Sequence, residues 1–124
     1  MMKIHDIQLR ARTSTNKWFW LNMNQYRNAN PKTTNRAKVW FTEWFMTLNL
    51  TGEFKGPVHI HYEIWPKKRS DLMNVGSILD KFLQDALVKR RILPDDNCKV
   101  VRSVSFEFMG YNHPGRANAE ITAL

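Results

Sequence analysis

Between residues 58 and 91 the hydrophobic period of the chain changes, and few folds accommodate that change. Val58, Ile60, Tyr62 and Ile64 alternate with His59, His61, Glu63 and Trp65, the pattern of a strand with one face buried. After Pro66-Lys67-Lys68-Arg69-Ser70 the period becomes helical. At about 100° per residue, Val75, Ile78, Leu79, Phe82, Leu83 and Ala86 share one apolar face of a helix expected from about Asp71 to Arg91. The strand needs neighbours in a sheet, and the helix needs a sheet face to cover. A layered α/β or α+β architecture meets both needs.

The flanking segments extend this pattern. Residues 2–12, with Ile4, Ile7 and Leu9, read as a strand, and the polar, aromatic stretch from Asn16 to Asn28 reads as a long loop. Asn30-Pro31 is an N-cap followed by a first-turn proline, so a helix should run to about Asn49 with Val39, Trp40, Trp44, Phe45 and Leu48 as its buried stripe. Residues 98–108 give a strand with Val104, Phe106 and Phe108 on one face, and Ala119 to Leu124 a last short strand. The order is β-α-β-α-β-β, a mixed sheet of about four strands packed with two helices. A chain of 124 residues has room for one such domain, spanning 1–124.

A lone cysteine, Cys98, makes no internal disulfide, and no apolar run approaches the roughly 20 residues that span a bilayer. Polar residues interrupt Met1 to Asp6 before a signal-peptide core forms, so the expectation is a cytoplasmic protein with no membrane partner. The net charge of +8 favours polyanions, through attraction to phosphate and release of condensed counterions.

Against that charge, the placement of the acids is informative. Of 11 Asp and Glu, five are Asp between positions 71 and 96, enclosed by Lys67-Lys68-Arg69 and Lys89-Arg90-Arg91. Carboxylates repel phosphate, and a hard divalent cation is one reason to keep them on a basic surface. Mg²⁺ binds few protein carboxylates and completes its shell with water and phosphate oxygens. Plain structural roles compete. Asp71 suits a helix N-cap, Asp95-Asp96 suit a turn after Pro94, and Lys81 with Asp85 makes an i,i+4 pair. On the helix, Asn74, Lys81 and Asp85 form a polar line along one flank of the apolar face, with Asp80 on the other flank. His59 and His61 have a spacing that binds zinc, but no third ligand converges in sequence, which favours a structural pair.

The ordered segments Asp71-Leu72-Met73-Asn74, Lys81 with Asp85-Ala86-Leu87, and Pro94-Asp95-Asp96-Asn97 resemble the core motif of RusA-like Holliday junction resolvases, most closely phage-type members. The early stretch Leu21-Asn22-Met23-Asn24, with Tyr26-Arg27, is similar to their N-terminal loop. The resemblance implies a homodimeric crossover junction endodeoxyribonuclease of a bacterial cell, phage or prophage, which nicks two opposing strands of a four-way DNA junction using Mg²⁺ or Mn²⁺. It assigns Asp71, Asp96 and Lys81 to catalysis. Asp71, Asp85 and Asp96 become metal ligands, and Asp95 either ligates or orients the turn. Asn74 would hold a ligand or metal-bound water by hydrogen bonds. Lys67, Lys68, Arg69, Asn22, Asn24, Tyr26, Arg27 and Lys32 are the expected DNA contacts, and Trp18, Phe19 and Trp20 either stack at the branch point or belong to the core or dimer interface.

The chain departs from the motif in two places. Met73 stands where the family has its second acid, and Asn74 and Lys81 are about one helical turn further apart than in the family. Asp85 is the favoured replacement ligand on helical geometry and Asp80 the competitor. The loss at Met73 leaves open a catalytically inactive nucleic-acid-binding protein of the same fold.

Overall fold

The computed structural model of the chain describes residues 1–69 and 72–124. Among these residues six strands and three helices follow in the order β1 (Met2–Gln8), β2 (Arg10–Ser14), β3 (Lys17–Trp20), α1 (Met23–Asn28), α2 (Pro31–Met46), β4 (Val58–Trp65), α3 (Leu72–Lys89), β5 (Val101–Phe108) and β6 (Arg116–Ala123). β1, β6, β4 and β5 make a mixed four-stranded sheet in that spatial order. β4 runs parallel to β5, and β6 lies antiparallel to both β1 and β4. This is the α+β architecture that the change of period requires.

One face of the sheet is dry and carries the core. Val58, Ile60, Tyr62 and Ile64 of β4 point into it, joined by Ala117, Ala119 and Ile121 of β6. Ile4 and Ile7 both reach this face although an odd spacing separates them. The register of β1 against β6 shifts between them, and Asp6 takes a positive φ of 57° at the bulge. α3 covers the dry face with Val75, Ile78, Leu79, Phe82, Leu83, Ala86 and Leu87. It approaches β5 so closely at Gly76 that a Cβ there would stand 2.7 Å from the Phe106 ring. The helix ends in a Schellman motif: Ile92 N–H donates to the Leu87 carbonyl, Arg91 N–H donates to that of Val88, and Arg91 itself is left-handed at φ 63°.

The stretch expected as a loop is ordered. Lys17–Trp20 pairs with β2, setting Phe19 under the ribbon beside Phe82 at 6.0 Å. A strand this short carries too little period to be read. The strand expected over residues 2–12 breaks at buried Leu9, where the chain leaves the main sheet for the ribbon. α2 starts as expected, with Asn30 Oδ1 accepting from Thr33 N–H at 2.9 Å and Pro31 in its first turn. Its buried stripe is Ala37, Phe41 and Phe45, whereas Val39 is 50% exposed. The stripe is rotated because α2 packs on β2 and α3 rather than on the broad sheet. Phe108 is also exposed, at the end of β5 beyond the cover of α3. β6, expected as a short addition at the end of the chain, is instead an inner strand of eight residues.

Candidate functional site

α3 projects its polar flank into two neighbouring clefts. The first, of about 420 Å³, lies between α3, α1 and the turn after Pro94; Asp80, Lys81, Gln84 and Asp85 line it from α3, Tyr26 from α1 and Asp96 from the turn. Asp85 and Asp96 are therefore brought to one cavity from positions far apart in the chain. Lys81 and Asp85 do not form the ion pair that their spacing allows; the Lys81 ammonium lies 5.5 Å over the Tyr26 ring. Among the described residues, neither Asp85 nor Asp96 has a side-chain hydrogen-bond or ion-pair partner, so their four carboxylate oxygens remain free acceptors.

Asp80 is different. Its Oδ1 accepts from the Tyr62 hydroxyl at 2.7 Å and its Oδ2 from the Gln84 amide at 2.8 Å. Burial raises its pKa from 3.8, and the bonds from Gln84 and Tyr62 oppose that rise. Burial, then the charge and hydrogen bond of Asp80, push the Tyr62 phenol well above its ordinary value. The pair ties α3 to β4. It answers the need of a buried tyrosine hydroxyl for a partner, and Tyr62 on the inward face of a strand was the sequence signal for it.

Asp95 builds the turn. Its Oδ1 accepts from Asp96 N–H at 2.7 Å and its Oδ2 from the Asn97 amide at 3.0 Å, which orients Asp96 toward the cleft. Of the two roles expected for Asp95, turn orientation is the one this geometry supplies. Asp71 lies outside the described residues. Among the described residues, no three His, Cys, Asp or Glu side chains converge to hold a metal. The free donors in the cleft are nonetheless hard carboxylate oxygens. Two of them, with water and phosphate completing the shell, fit the sparse protein ligation that Mg²⁺ accepts.

The second cleft, of about 440 Å³, has a basic rim of Lys67, Lys68 and Arg69, with Trp20, Asn22, Asn24 and Asn74 around it. Asn74 Oδ1 accepts from Met23 N–H at 3.0 Å, which pins the start of α1 between the clefts. Asn22 caps α1 by accepting from Gln25 N–H at 2.8 Å. Arg27 is exposed on α1, and Lys32 lies away from both clefts, in a groove on α2 with Arg36 and Arg12. His59 and His61 stand on the opposite, open face of the sheet. Their ring nitrogens hydrogen-bond Ser103, Ser105 and Glu107, the structural arrangement expected of the pair.

Sequence reasoning missed Arg90. It reads as part of a solvated basic run, yet its guanidinium donates to the carbonyls of Phe45, Leu48 and Leu50 at 2.7, 2.7 and 3.0 Å. No helix of the described chain is long and apolar enough to cross a membrane. The chain matches no protein-family model and no curated protein sequence.

Proposed function

We propose that this chain is a metal-dependent endonuclease acting on branched DNA, working as a homodimer that nicks opposing strands of a four-way junction in the bacterial cytoplasm. The observation that carries the reading is the meeting of Asp85, Asp96 and Lys81 in one cleft, beside a second cleft rimmed by Lys67, Lys68 and Arg69. A structural explanation of these residues predicts an ion pair between Lys81 and Asp85, and that pair is absent. Two unneutralised carboxylates kept next to a cationic cleft oppose DNA binding unless a cation bridges them to phosphate.

Asp85 and Asp96, joined by Asp71 on the strength of the family motif, would hold Mg²⁺ or Mn²⁺, which supplies an activated water and charge neutralisation at phosphorus. The chain's own residues do the rest. Lys81, whose ammonium lies over the Tyr26 ring, brings a cation to the cleft that would meet a phosphate oxygen as negative charge builds during cleavage. Asp95 fixes the turn that presents Asp96. Asp80 serves as an anchor rather than a ligand, because both its oxygens already accept protein hydrogen bonds. The basic rim holds the backbone alongside, with Asn24 and Tyr26 close to the same strand. Two copies related by a two-fold axis would present two equivalent clefts to a junction of matching approximate symmetry.

One observation favours a second reading, a binding protein without catalysis. Met73, at the position of the family's second acid, is 58% exposed and offers no oxygen. Incubation of an end-labelled four-way junction with Mg²⁺ and with chelator separates the two. The endonuclease reading expects paired nicks that vanish with chelator, and a loss of at least about 100-fold in Asp96→Asn with junction binding retained or tighter. Full cutting by Asp96→Asn, or cutting in chelator, refutes it. Tight binding with no nicks in Mg²⁺ or Mn²⁺ establishes the second reading instead.

A further inference from the structure

The β2–β3 ribbon carries a structure that the cleavage site does not use. Ala11 and Phe19 are buried beneath it, so Arg10, Arg12, Trp18 and Trp20 share its outer face, with Arg10 paired to Trp20 and Arg12 to Trp18. Cations and indoles alternate along that face. Lys67 Nζ stands 3.6 Å from the centre of the Trp20 ring, and the Arg10 guanidinium lies 5.6 Å from Trp20 and 3.9 Å from Trp18. The Arg12 guanidinium follows, 4.6 Å from Trp18, whose edge rests on Trp40 at 6.2 Å. At one end the row enters the basic cleft through Lys67, and at the other it reaches the groove where Lys32 and Arg36 lie one turn apart on α2.

Among the described residues none of these cations makes an ion pair, and Arg10 Nε is covered without a hydrogen-bond partner. The indoles hold the cations, through ring quadrupoles that do not cancel their charge. Stacking also restricts the guanidinium rotamers while leaving N–H edges available for the paired oxygens of a phosphate. Glu43, at the far end of the α2 groove, is the acid that lines this band. Like charges fixed in a row repel one another, and a polyanion relieves that repulsion. Trp18 and Trp20 each already engage two cations, so their contribution is to hold charge and not to stack an unpaired base.

We propose that the row Lys67–Trp20–Arg10–Trp18–Arg12 is a second, sequence-independent binding tract for the phosphate backbone of a DNA duplex arm, leading from the basic cleft to Lys32 and Arg36. The identity of the polyanion as DNA rests on the endonuclease reading; the tract itself rests on the geometry of the ribbon. The test is the salt dependence of binding by the full chain to a labelled four-way junction, in chelator, by fluorescence anisotropy. Removing one cation from a phosphate lowers the slope of log K against log salt concentration by about 0.9. The double variant Arg10→Gln/Arg12→Gln is therefore expected to bind with a slope shallower by roughly 1.8. Trp18→Leu keeps every charge, so it should bind several-fold more weakly with its slope nearly unchanged. Should the double variant melt early, Arg12→Gln alone, at the exposed end of the row, is expected to reduce the slope by about half as much.

A wild-type slope in these charge variants overturns the tract, even if the wild-type protein cuts junctions in Mg²⁺. A shallower slope in a protein that never cuts upholds the tract and removes the endonuclease. A change confined to an RNA duplex overturns the assignment to DNA.

Discussion

Replacing Tyr62 with Phe removes a single oxygen from the interior and leaves the ring, stacked on Phe106 at 5.5 Å, in place. What disappears is the 2.7 Å hydrogen bond to Asp80 Oδ1. A hydrogen bond to a charged group contributes about 1.5–3 kcal/mol. The Gln84 bond survives and Asp80 keeps some access to water, so the cost at neutral pH should fall at the lower end, about 1.5–2 kcal/mol. For a domain of this size that lowers Tm by roughly 5–8 °C. The pH dependence is the sharper test. Burial raises the Asp80 pKa from 3.8, so its contribution to stability is fully present below 3.8 and lost as pH rises through the folded-state value. Tyr62→Phe removes a donor that opposes the rise, which moves the folded-state value still higher and widens that window. The deficit of the variant should therefore shrink as pH falls from neutrality toward 3.8, because protonated Asp80 no longer needs the hydroxyl as strongly. Thermal melts by circular dichroism at several pH values measure it, with Asp80→Asn as the background in which the pH dependence of the Tyr62→Phe effect should vanish. A deficit that grows on acidification, or persists with the same pH dependence in Asp80→Asn, refutes the coupling.

Arg90→Met removes the donor shared by three carbonyls in the last turn of α2 and just beyond it, and urea denaturation should show a loss of about 2–3 kcal/mol. Gly76→Ala would gain up to about 1 kcal/mol of helix propensity in solvent. Here it should cost a net of about 1–2 kcal/mol, by the same assay, because its Cβ meets the Phe106 ring at 2.7 Å and that ring is backed by Tyr62.

The elements that sequence made legible were those whose pattern is long compared with its period. β4 alternates over eight residues and α3 keeps its apolar face over 18, so both their extent and their orientation follow. β3 and α1, four and six residues long, are set by tertiary contacts, the pairing of Phe19 under the ribbon and the bond from Met23 N–H to Asn74 Oδ1. For the site, helical geometry put Lys81 and Asp85 on one flank, as observed, but it set Asp80 apart and grouped Asn74 with them, whereas Asp80 lines their cleft and Asn74 lines the neighbouring one. It did not show that Asp96 would line the same cleft, since the turn after Pro94 is placed by the Schellman end of α3 and not by local pattern. Arg90 shows the limit of reading charge. Composition makes it one of three neighbouring cations, whereas its surroundings make it a tether. The alternation of Arg10, Arg12, Trp18 and Trp20 was visible in the chain, but its meaning depended on the pairing of two segments only one of which read as a strand.

The rotation of α3 about its axis decides which carboxylates face the cleft as free groups. A slip of one residue turns the helix by about 100°, enough to exchange the surroundings of Asp80 and Lys81. Three contacts oppose such a slip from different sides. Tyr62 bonds Asp80 from the sheet, the Phe106 ring fits only against a residue without a Cβ at Gly76, and Arg90 locks the far end to α2. Each would be broken by the same rotation, the first leaving a buried hydroxyl without a partner and the second driving a side chain into an aromatic ring. None of the three residues contributes an acceptor to the cleft. Their common effect is to keep the face that carries Lys81 and Asp85 turned toward the cleft, where neither side chain makes an ion pair.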